Sequence, residues 1–67
     1  MDELNKLKHL LTHWIDHNKD HVSNYNEWAE KAAALGEHKL SEILRRIADE
    51  NKKLEELFRE AIDSIDR

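Results

Sequence analysis

The sequence predicts an all-α fold: an antiparallel two-helix hairpin that dimerises into a four-helix bundle. Three observations predict it. The chain has no proline and one glycine, Gly36, so it offers a single place to break. Apolar residues on both sides of that glycine recur at alternating spacings of three and four, the signature of helix packed on helix. The flanks of the resulting stripe carry more apolar residues than one hairpin can cover, so a second copy is expected.

The first helix is expected over about residues 2–35. Strand formers are scarce and Ala, Leu, Glu and Lys dominate, which favours helix almost throughout. Asp2 is placed to cap the helix start. The 3–4 spacing runs through Leu4, Leu7, Leu11, Trp14, Asn18, His21, Tyr25, Trp28, Ala32 and Leu35, which reads as a and d positions of a heptad. Gly36 follows AAAL and suits the left-handed position that closes a helix. A second helix over about residues 38–65 continues the pattern through Leu40, Leu44, Ile47, Asn51, Leu54, Phe58, Ala61 and Ile65.

Folding at Gly36 aligns the two stripes wherever residue numbers sum to 72. Ala32 then faces Leu40, Trp28 faces Leu44, Tyr25 faces Ile47 and His21 faces Asn51. Asn18 faces Leu54, Trp14 faces Phe58, Leu11 faces Ala61 and Leu7 faces Ile65. Ile15, Val22, Ala29, Ala48 and Ile62 lie along one flank, and Leu10, Ile43 and Leu57 along the other. The whole of 1–67 reads as one domain.

Charged residues make up 39% of the chain, with a net charge of −4, which excludes the basic stripe that nucleic acid requires. No apolar run approaches the roughly 18 residues of a membrane span. MDELNKLK lacks the apolar segment of a signal peptide, so a cytoplasmic location is expected. The chain has no cysteine, which removes disulfides and thiolate ligands as sources of extra stability.

The chemistry rests on HLLTHWIDHNKDH, which sets His9, His13, His17 and His21 four residues apart. Each step turns the helix by about 400°, so the ladder drifts from solvent towards the core. On the heptad His9 is f, His13 is c, His17 is g and His21 is d. His17 and His21 are therefore the chief candidate metal ligands, with Glu50 as the nearby carboxylate and His13 as a further ligand. Asn18, Asn51 and Asn24 would orient the imidazoles by hydrogen bonding. Imidazole donors suit a transition-metal ion such as zinc, nickel or cobalt.

These residues lead to a transition-metal-binding bundle that buffers, senses or delivers its ion. The alternative is a dimerisation or protein-interaction bundle in which His21, Asn18 and Asn51 form a buried polar layer that sets register without metal. The di-iron carboxylate pattern is missing, since the second helix has no histidine after His38. Thr12, Ser23, Ser41 and Ser64 are not placed at seam positions beside a base, so nucleophilic catalysis is not expected. Trp14, Tyr25 and Phe58 flank the polar layers and would suit haem, although aromatics at helical spacing are more often core.

HWIDHNKDH followed by YNEWAEKA resembles small His-rich helical-hairpin domains of prokaryotes that share an H-W-x-x-H-N-x-x-H core. The likeness covers His13, Trp14, His17, Asn18 and His21, then Tyr25 and Trp28, and extends loosely over the hairpin. It implies that His17, Asn18 and His21 act as a unit and invites a metal-handling reading. The regular heptads would equally fit a designed or consensus-derived sequence.

Overall fold

The computed structural model describes residues 2–66. It holds two helices, α1 (Asp2–Ala34) and α2 (His38–Ile65), and no strand among the described residues. They lie antiparallel in a slab with Cα extents of 53 × 14 × 10 Å. The radius of gyration is 15.6 Å, where a compact chain of this length would have about 11 Å. The molecule is one layer of helices with no interior beyond the line where they meet.

The turn follows from Gly36, whose φ of +83° lies in the left-handed region. The Glu37 amide donates to the Ala32 carbonyl at 2.9 Å and the Gly36 amide to Ala33 at 3.0 Å. This pair of bonds is a Schellman closure, which satisfies carbonyls that the end of α1 would leave open. Ser41 then donates its amide to the Glu37 carbonyl at 2.9 Å, starting α2 without a side-chain cap. At the other end Asp2 is the first residue of α1 rather than its cap, and Asp2 and Glu3 place carboxylates where the helix dipole favours them.

The seam departs from the a/d stripe. In α1 the buried residues are Leu11, Ile15, Asn18, Ala29 and Ala32, with Val22 and Tyr25 half-buried. In α2 they are Ser41 and Ala48, with Leu44, Asn51, Glu55, Phe58, Ala61, Ile62 and Ile65 half-buried. Positions a and e thus meet, while most d positions turn outwards: Ile15 replaces Trp14, Val22 replaces His21, Ala29 replaces Trp28 and Ala48 replaces Ile47. Within the single hairpin His21, Trp14 and Trp28, expected as core layers, are all exposed. Each helix is rotated by roughly 50° from the a/d arrangement.

Small side chains account for the rotation. Ala29 and Ala48 are 0% and 1% exposed, and Ser41 donates its hydroxyl to the Ala29 carbonyl at 2.7 Å. A ridge of Ala and Ser lets the backbones approach closely, where dispersion contacts are densest. Two tryptophans and Ile47 in the same seam would hold the helices apart. Asn18 stays in the seam and donates its side-chain amide to the Asn51 carbonyl, and Asn51 donates to Ile47 at 2.9 Å. Cross-helix contacts pair residues whose numbers sum to between 69 and 74, so the register brackets the expected 72.

Candidate metal centre

The rotation moves the histidine ladder out of the core and onto the surface of α1. His9, His13, His17 and His21 are all exposed. His13 points away from α2, and His17 follows it four residues on, one turn along the same side of the helix. Their rings meet edge to face with centroids 4.4 Å apart. Their Nε2 atoms are 2.9 Å apart.

That separation has a direct chemical meaning. Metal–imidazole bonds of about 2.0–2.1 Å put two nitrogens about 2.9 Å apart at a 90° angle and roughly 3.3 Å apart at a tetrahedral one. The pair therefore already matches two cis positions of an octahedral or square-planar ion, and opens by a few tenths of an ångström for a tetrahedral one. Without metal the same contact is a hydrogen bond from one imidazole to the other. A bound ion would take the place of the shared proton.

The other nominated residues stand apart from this clamp. His21 stacks on Tyr25 with centroids 6.2 Å apart and rings 19° from parallel. Glu50 pairs with Lys53 at 3.2 Å on the surface of α2. Asn24 is exposed, and Asn18 and Asn51 are engaged with backbone carbonyls in the seam, where they bridge or brace the helices. No group of three or more His, Asp or Glu side chains converges among the described residues. The clamp supplies two donors, and water or another molecule would fill the remaining positions.

A second surface feature was harder to foresee. Of the eleven large apolar residues that are exposed, ten occupy d or g positions: Leu7, Leu10, Trp14, Trp28 and Leu35, then Leu40, Ile43, Ile47, Leu54 and Leu57. Cross-helix ion pairs Lys8–Asp66 (2.7 Å) and Lys19–Glu55 (3.8 Å) join e and b positions on one flank. The d and g positions of both helices therefore share the other flank. The surplus of apolar flank residues signalled this face, but the a/d reading divided its members between core and surface.

Among the described residues no helix is long and apolar enough to cross a membrane. Residues 7–65 match the family described as "Domain of unknown function (DUF8180)". An uncharacterized protein of Archaeoglobus fulgidus is 31% identical over 62 residues, spanning 92% of this chain and 98% of that protein. No solved structure matches. With the family matching nearly end to end, the chain belongs to the domain family of unknown function DUF8180.

Proposed function

We propose that this domain binds a divalent transition metal, of the zinc, nickel or cobalt class, and serves as a cytoplasmic module that buffers, senses or delivers it. The observation that carries the reading is the 2.9 Å approach of the His13 and His17 Nε2 atoms on one exposed helical turn. Two imidazole donors with open positions beside them favour binding and exchange over a closed structural site. The nominated set narrows to His13 and His17, since His21 and Glu50 engage other partners.

The test is calorimetric titration of chelator-treated protein with Co(II), Ni(II) and Zn(II), alongside visible absorption for cobalt. His13→Ala and His17→Ala should each remove binding, while His9→Ala, His21→Ala and His38→Ala should retain it. Binding that survives both of the first two substitutions would sink the proposal.

A second reading, a dimerisation or interaction bundle, is favoured by the exposed apolar flank. The exposed fractions of its ten large side chains add up to about five whole ones. At roughly 1.5–3 kcal/mol for each, covering them contributes about 7–15 kcal/mol per hairpin. Two hairpins covering each other gain twice that, against association costs on the order of 4–15 kcal/mol. The two readings meet at His17, which sits at a g position on the flank, whereas His13 at c lies outside it.

A further inference from the structure

We infer that the apolar d/g flank is the seat of a second copy of this chain, and that the functional unit is a homodimeric four-helix bundle; the inference rests on the interaction reading and is independent of metal. The hairpin is one-sided. The b and f positions of the described residues contain no large apolar side chain and carry twelve formal charges. The d and g positions carry ten large exposed apolar side chains and three formal charges, Glu3, Lys31 and Glu50.

That distribution selects the occupant. A nucleic acid or an anionic membrane would need a basic face, and a charged protein partner would need a complementary field. This flank offers neither. Its few charges are mixed in sign, so two copies meet without repulsion, and an isologous contact requires only that the patch suit itself. The broad face of the slab is 53 Å by 14 Å, a footprint on the order of the roughly 800 Å² per partner of a standard interface. One copy of the same length covers it along its whole extent. The packing would enclose Trp14, Ile47 and Leu54, and with them His21, at the middle of the bundle.

The experiment is sedimentation equilibrium of the full chain in chelator, from micromolar to several hundred micromolar, with thermal melting over the same range. The expected result is twice the 8.0 kDa chain mass, with a melting temperature that rises with concentration. Leu10→Glu and Leu54→Glu should raise the dissociation constant at least tenfold, and Asn26→Glu on the opposite flank should leave it unchanged. All three positions are exposed in the hairpin, so far-UV circular dichroism should show helix retained. A monomer at several hundred micromolar, open-ended assemblies, or dissociation by Asn26→Glu in place of the apolar-flank variants would each overturn the inference. Keeping chelator present separates this outcome from that of the metal titration: loss of metal binding with the dimer intact removes only the clamp.

Discussion

Replacing Ala48 with Leu tests the seam itself. Ala48 is 1% exposed and faces the level of Val22 and Tyr25 across the hairpin. Leucine adds three carbons at a site with almost no exposed surface, and inserting methylenes into a packed site costs about 1–3 kcal/mol. Helix propensity barely changes between the two residues, so it does not mask the effect. A chain of this length holds on the order of 3–10 kcal/mol in total, so the loss is a large part of it. For a domain of 60–100 residues each kcal/mol moves the midpoint by roughly 4–8 °C, which gives a fall of about 4–24 °C. The assay is thermal melting followed by far-UV circular dichroism at matched protein concentration. An a/d seam makes the opposite prediction, since Ala48 would then lie on a flank where leucine adds apolar cover. An unchanged or raised melting temperature for Ala48→Leu would refute the a/e packing.

The turn and the clamp give further predictions. Gly36→Ala should destabilise by about 1–2 kcal/mol, the cost of holding an L-residue in the left-handed region, and Gly36→Asn by less. An added Cβ meets nothing within 4 Å, so the cost is purely one of backbone, and a urea midpoint that shifts without change of slope is the expected readout. Metal affinity should fall as pH drops, because both imidazoles must shed protons to bind. Calorimetry in buffers of different ionisation enthalpy counts the protons that the metal displaces. Affinity independent of pH would remove the His13–His17 pair as ligands.

The hairpin was legible because its determinants are local. One glycine, no proline and an unbroken 3–4 spacing specify two helices and a turn, and the expected register of 72 lies within the observed range. The rotational setting was not legible in the same way. Positions d and e sit on either side of a, and hydrophobicity alone favours Trp14, Trp28, Ile47 and Leu54 at d. What decides is the closeness of approach, and that depends on how small Ala29, Ser41 and Ala48 are rather than how apolar. The histidines follow from the same rotation. Fourfold spacing makes His9–His13, His13–His17 and His17–His21 equivalent in sequence, and only side-chain rotamers distinguish them. The structure brings His13 to His17 and leaves His21 against Tyr25.

The unequal seam has a mechanical consequence. Near the turn both helices bury residues (Ala29, Ala32, Ser41 and Ala48), whereas towards the far end α1 still buries Leu11 and Ile15 but Phe58, Ala61, Ile62 and Ile65 in α2 are only half-buried. Among the described residues the cross-helix ion pair at that end is the exposed Lys8–Asp66, and exposed ion pairs hold with little energy. Because the helices run antiparallel, both helix ends at the open end lie side by side, and a pull that separates them loads one layer at a time. Such a hairpin peels like a zip instead of shearing all at once. Its amides should exchange fastest at the open end and slowest beside the turn, where the fold keeps its grip longest.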